Sequence, residues 1–141
     1  MAHTQAVYYR DADGEEPVDV FIEALIPKQA AKIDFYVEEY LNGQAATAPP
    51  VGYPITSQVR GGLRELRVRF AKTYFRLLFQ RSENLHILLH IFEKDTKQLP
   101  EADIELAERR FIDFKARMNA YRRVAPRPAG QDAPTSRRQG T

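Results

Sequence analysis

Arginine recurs through residues 61–81, GGLRELRVRFAKTYFRLLFQR, although the rest of this segment is apolar enough for the middle of a sheet. The arginines are Arg64, Arg67, Arg69, Arg76 and Arg81. A charged side chain is costly to bury without a partner, so we expect these side chains to lie on an exposed face or at a site that uses them. Planar guanidinium groups suit bidentate binding of phosphate or carboxylate groups. The segment therefore predicts a site for an anion.

The net charge of +2 conceals blocks of opposite charge along the chain. Residues 1–59 carry three basic and nine acidic side chains, whereas residues 60–81 carry seven basic side chains against Glu65 alone. Residues 82–114 are acidic again, with four basic side chains against eight acidic ones. Such blocks create strong local fields, so we expect an anionic partner at residues 60–81.

The spacing of apolar residues predicts the elements that position these arginines. They are a strand at 5–10, helices at 17–26 and 27–41, strands at 63–70, 73–80 and 85–92, and a last helix from Pro100. Pro17 and Pro27 suit the first turn of each helix, and the proline-rich segment 44–58 is predicted to be loop. Short turns join the last three strands, which favours an antiparallel sheet. The fold class is α+β, with the order βααβββα, an N-terminal helical hairpin and a C-terminal helix.

The chain is predicted to form one domain over residues 1–123, followed by a disordered basic tail over 124–141 with little apolar content. No stretch is long and apolar enough for a membrane span, and the first residues lack the pattern of a signal peptide. Cysteine is absent, which excludes a disulfide framework and a thiolate metal site. We expect a cytoplasmic protein.

Strand alternation predicts which side chains share a face. Leu66, Val68 and Phe70 point to the core from the first strand of the meander. The opposite face is predicted to be an open cationic concavity that collects Glu65, Arg67, Arg69, Tyr74, Arg76, His86 and His90. Arg64 falls on the core side, near the start of its strand, where it can extend past the sheet edge.

These segments resemble the HigB/RelE superfamily of toxin–antitoxin ribonucleases, in particular its phage-derived HigB-like branch, over roughly residues 5–115. The resemblance is carried by Glu65-Leu66-Arg67, then by Arg76, and then by the segment from Phe92 to Pro100 with Lys94, Thr96 and Lys97. One departure is Asp95, which stands where the branch has a second lysine. The resemblance implies a small α+β toxin with a RelE/ParE-like fold that cuts messenger RNA on translating ribosomes and is neutralised by a co-encoded antitoxin.

The resemblance and the chemistry of RNA cleavage together assign roles to the polar residues. In metal-independent cleavage the ribose 2′-OH attacks the adjacent phosphate, and charge accumulates on the phosphate oxygens, where fixed cations contribute most. The predicted catalytic residues are Arg67, Arg76, His90 and Lys94, with His90 as proton shuttle because its unperturbed pKa is about 6.5. The predicted RNA-binding residues are Arg64, Arg69, Tyr74 and Lys97. No metal or other cofactor is expected.

Three functions stay open at this point. The first is the endoribonuclease toxin, with messenger RNA, the ribosome and a helix-turn-helix antitoxin as its partners. The second is a toxin of the ParE kind, which shares the fold but inhibits a protein target such as DNA gyrase. The third is an inactive phage-derived relative, for which the departure at Asp95 leaves room. The clustering of cations on the sheet favours the first.

Overall fold

The computed structural model describes residues 3–93, 98–120 and 124–131. Its elements are β1 (Gln5–Tyr8), α1 (Pro17–Glu23), α2 (Pro27–Tyr40), β2 (Thr56–Arg60), β3 (Leu63–Phe70), β4 (Thr73–Ser82), β5 (Leu85–Glu93) and α3 (Glu101–Met118). The strands form one sheet in the order β1-β5-β4-β3-β2. This arrangement confirms the predicted α+β fold class. Among the described residues, no helix has the length and apolar character needed to cross a bilayer.

Two details of the sheet differ from the expectation. Thr56–Arg60, whose first three residues were predicted as loop, forms the edge strand β2 and pairs antiparallel with β3. Its sequence, TSQVR, holds a single apolar residue, so hydrophobic alternation could not mark it as a strand. In addition, β1 runs parallel to β5, while the remaining pairs are antiparallel. A parallel pair needs a crossover connection, and the helical hairpin lies within the segment between these two strands.

The helical hairpin covers one face of the sheet, which we call the hairpin face. Pro17 and Pro27 stand at the start of α1 and α2, as predicted. Ile22 and Ile33 are buried and belong to a single core cluster with side chains of all the strands except β2. The strand residues of this cluster are Ala6, Tyr8, Leu66, Val68, Phe75, Leu77, Phe79, Leu88 and Ile91. This core fixes the direction of every second side chain in the sheet.

The opposite face, which we call the α3 face, has a smaller core of its own. Ala107 and Phe114 of α3 are buried with Leu78 of β4 and with Ile87 and Leu89 of β5. The sequence predicted an open surface here, but α3 contacts both β4 and β5. The polar residues of the α3 face are therefore found beside a covering helix rather than on a bare sheet.

A β-bulge in β5 changes the direction of its side chains. Leu78 of β4 stands opposite His90, whereas the next residue, Phe79, stands opposite Leu88. Leu89 is thus the extra residue of the bulge, and the strict alternation expected for β5 is broken there. As a result His86 and His90, predicted to share a face, lie on opposite faces of the sheet.

Residues 124–131 do not follow the prediction of a disordered tail. Pro128 forms a bridge with Val7 of β1, and the Ala129 N–H donates to the Ala6 carbonyl over 2.8 Å. Arg127 lies within 2.7 Å of Glu16 and 3.0 Å of Asp19. Ion pairing and backbone hydrogen bonds therefore hold a segment that has little apolar content. The rest of the predicted tail, residues 132–141, lies outside the described residues, and the boundary at residue 123 stays a prediction.

Candidate functional site

One buried carboxylate joins two arginines at the centre of the α3 face. Arg67 and Arg76 stand directly opposite each other on β3 and β4. Glu65 lies 2.8 Å from Arg67 and 3.2 Å from Arg76, through its two different carboxylate oxygens. Like charges directly opposite each other in a sheet repel, so the carboxylate offsets the repulsion between the guanidinium groups. The side chains of Glu65 and Arg76 are only 2% and 7% exposed, whereas that of Arg67 is 25% exposed.

An open cleft of about 380 Å³ lies beside this triad. Its lining residues are Tyr36, Tyr53, Pro54, Ile55, Arg67, Arg69, Tyr74 and Arg76. Three of the eight are arginines, and three are tyrosines. The structure therefore brings four predicted site residues, Arg67, Arg69, Tyr74 and Arg76, together in one concavity.

The arginines of the cleft are held by neighbouring groups. Arg67 donates to the Pro54 carbonyl over 3.1 Å and to Ser57 Oγ over 3.0 Å, and its guanidinium group lies 5.3 Å from the centre of the Tyr53 ring. Arg69 donates to the Ala71 carbonyl and lies 5.5 Å from the Tyr74 ring. A cation held in place in this way needs little reorganisation when an anion binds.

His90 lies on the α3 face, as predicted, but is not among the residues that line the cleft. Its Nε2 is 2.7 Å from the Asp103 carboxylate of α3, and its ring stacks on Phe92 at 5.3 Å. Burial lowers the pKa of His90, and the nearby Arg110 also lowers it, although Asp103 acts in the opposite direction. Asp103, a partner that the sequence did not indicate, therefore positions the His90 ring.

His86 and Arg64 lie on the hairpin face, away from the cleft. Both line a small cavity of about 50 Å³ together with Arg81. The prediction that His86 lies on the cationic face was therefore wrong, because the bulge at Leu89 turns the side chains before it to the other side of the sheet. Arg64 was expected on the core side, and its guanidinium group donates to Thr56 Oγ1 over 2.8 Å. It does not line the same cleft as Arg67 and Arg76, so its predicted contact with RNA has no support from this arrangement.

The environment of His86 predicts a dependence of stability on pH. Burial, with the charges of Arg81 and Arg64, lowers the pKa of His86 to about 4. In the unfolded chain the pKa of His86 is near 6.5, so between pH 6.5 and pH 4 the unfolded state binds more protons than the folded state. The stabilising contribution of His86 is therefore present above pH 6.5 and is lost as the pH falls towards 4. We expect the free energy of unfolding to fall by about 2–3 kcal/mol from pH 7 to pH 4.5 because of His86. Urea unfolding of wild type and His86→Phe at both pH values measures this loss.

The phenylalanine variant is a suitable comparison because His86 Nδ1 has no hydrogen-bond partner among the described residues, and the ring packs edge-to-face on Phe79. An apolar ring should therefore be accommodated. The difference between the two pH values should shrink by about 2–3 kcal/mol in the variant. An unchanged difference would contradict the assignment of the titration to His86.

Two predicted site residues, Lys94 and Lys97, lie outside the described residues, as does Asp95. Their roles stay predictions. Conversely, the structure adds residues that the sequence did not single out: Tyr36 and Tyr53 in the cleft and Asp103 beside His90. Tyr53 stands in the proline-rich stretch APPVGYP, where the only available signal was that of a loop.

The five-stranded sheet and three helices form a RelE-like α+β fold. Residues 21–112 match the family described as Phage derived protein Gp49-like (DUF891), and the chain belongs to this family, which is a family of HigB/RelE-like toxins. The match spans α2 and β2–β5 completely, the last three residues of α1 and two thirds of α3. No curated protein matches the chain. Membership of a toxin–antitoxin family implies an antitoxin as partner.

Proposed function

We propose that this protein is the toxin of a type II toxin–antitoxin system and cuts messenger RNA on the ribosome. The observation that supports this most is the pairing of Arg67 and Arg76 on neighbouring strands beside an open cleft, with Glu65 holding both guanidinium groups. Two guanidinium groups held in place on one side of a cleft can donate hydrogen bonds to the oxygens of a phosphodiester. The family membership agrees with a toxin.

In the proposed reaction the ribose 2′-oxygen bonds to phosphorus as the bond to the 5′-oxygen breaks. The 2′-OH loses a proton, the departing 5′-oxygen gains one, and the products are a 2′,3′-cyclic phosphate and a 5′-hydroxyl. Negative charge grows on the two non-bridging oxygens, which Arg67 and Arg76 stabilise. General acid–base help contributes about 10²–10⁴-fold in such reactions, and we assign it to the imidazole of His90, which lies on the same face of the sheet as the two arginines although it does not line the cleft.

Further residues bind the strand on either side of the reacting phosphate. Arg69, held against Tyr74, extends the cationic wall of the cleft, and Lys94 and Lys97 bind phosphates from the segment that follows β5. The antitoxin, a separate protein with a helix-turn-helix part, neutralises the toxin by covering this surface. These partner assignments rest on the family.

The experiment that tests the function is induction of the chain in a bacterial host, followed by mapping of messenger RNA 5′ ends. The nuclease predicts new ends at fixed positions within codons, and their loss in Arg76→Ala. Growth arrest with intact messages and damaged DNA would instead indicate a toxin of the ParE kind. One observation favours that alternative: the negative charge of Glu65 offsets one of the two positive charges of Arg67 and Arg76, which leaves less positive charge for binding a phosphate. Growth without arrest would indicate an inactive relative.

A further inference from the structure

Tyr53 is a largely exposed aromatic side chain of the cleft. It lies in the loop before β2 and is 81% exposed. Single exposed aromatic side chains are common on protein surfaces, but this one lines a concavity with three arginines. The Arg67 guanidinium group approaches the Tyr53 ring to 5.3 Å, while the rest of the ring surface meets solvent.

The arrangement of Arg67 between two neighbours connects the ring to the proposed phosphate site. The guanidinium group contacts Glu65 at 2.8 Å and lies against Tyr53. A phosphate bound by Arg67 and Arg76 would therefore lie next to the Tyr53 ring, because Arg67 contacts that ring. Tyr36 of α2 lines the same cleft from another side.

We infer that Tyr53 is a stacking platform for one unstacked nucleobase of single-stranded RNA, next to the phosphate held by Arg67 and Arg76. Cationic grooves with exposed aromatic rings bind single strands in this way, because every base has a face that can stack. The cleft of about 380 Å³ is large enough for one nucleotide. This inference rests on the proposed function and adds to it the residue that selects an extruded base.

The test is an NMR titration with 2′-O-methyl trinucleotides, which cannot be cut because they lack the 2′-hydroxyl. One trinucleotide carries its central base, and the other is abasic at that position. Wild type should bind the complete trinucleotide about tenfold more tightly, the usual contribution of one stacked base. Tyr53→Leu should bind both with the affinity that wild type has for the abasic form.

Two control variants separate stacking from other effects. Tyr53→Phe keeps the ring and should retain the tenfold preference, whereas a general loss of structure would affect both trinucleotides. Ile112→Ala removes another exposed large apolar side chain, on α3, 69% exposed and not part of the cleft lining, and should behave as wild type.

Equal affinity of wild type for the two trinucleotides would overturn the inference, and so would a tenfold preference that survives in Tyr53→Leu. Absence of binding at millimolar trinucleotide would also overturn it and would favour a protein ligand for the cleft. The outcome is separable from that of the proposed function. If the protein stacks the base but leaves messenger RNA intact, the stacking site is supported and the nuclease function is contradicted. If the protein cuts messenger RNA but Tyr53 does not affect trinucleotide binding, the nuclease function is supported and the stacking site is contradicted.

Discussion

Arg76→Ala is expected to slow the cleavage of ribosome-bound messenger RNA by about 10²–10³-fold, the effect of removing one fixed donor that stabilises a developing oxyanion. The guanidinium group of Arg76 is nearly buried and contacts Glu65, so it is held in place before the substrate arrives. A lysine cannot reproduce the planar fork, and Arg76→Lys should therefore recover only part of the rate. Single-turnover cleavage by purified toxin added to a stalled translation complex measures these rates.

The matched control is Arg81→Ala on the same strand. Arg81 lies near His86 and donates to the carbonyls of Glu83 and Ala46, on the side of the sheet away from the cleft. Its removal should leave the cleavage rate close to that of wild type. Circular dichroism and thermal unfolding show whether each variant is folded. Equal rates for folded Arg76→Ala and wild type would contradict the proposed role of Arg76.

Glu65→Ala is expected to have the largest effect on stability, a loss of about 3–5 kcal/mol, as found when one partner of a buried ion pair is removed. Glu65 is 2% exposed and contacts two guanidinium groups that face each other across the ladder. Without it, the positive charge of Arg76 stays in a buried position and repels Arg67. Glu65→Gln retains an oxygen that can accept a hydrogen bond, so it should lose less.

Urea unfolding at pH 7 measures both variants, and Glu108→Ala provides the comparison. Glu108 also pairs with an arginine, Arg60, but this pair is exposed. Surface pairs contribute little, so its removal should change the unfolding midpoint far less than Glu65→Ala. Losses of similar size at Glu65 and Glu108 would mean that the buried carboxylate does not hold the arginine pair together.

The sequence was sufficient for most of the fold because its apolar spacing was regular. Pro17 and Pro27 marked the start of both hairpin helices, and the apolar rows of β3 and β4 placed Arg67 and Arg76 on one face. The edge strand β2 was missed because TSQVR lacks alternation. The segment 124–131 was assigned to a tail since its contacts depend on Arg127 and on backbone hydrogen bonds, neither of which apolar content reveals.

The candidate site was harder to predict because its geometry depends on packing. Strand alternation placed both histidines of β5 beside the arginines, but it cannot foresee a bulge, and the bulge at Leu89 moves His86 to the other face. Glu65 belonged to the predicted set, yet its burial between two arginines depends on side-chain packing, which strand alternation does not encode. Tyr53 comes to the cleft through a loop whose path no local pattern encodes.

The most direct measurement uses a message with a single 2′-deoxy nucleotide at a mapped cleavage position, presented to the toxin on the ribosome. Because the attacking group in the proposed reaction is the 2′-oxygen, cleavage at that position should disappear while cleavage at unmodified positions continues and leaves 2′,3′-cyclic phosphate and 5′-hydroxyl ends. Undiminished cutting at the 2′-deoxy position would contradict the mechanism proposed for Arg67 and Arg76.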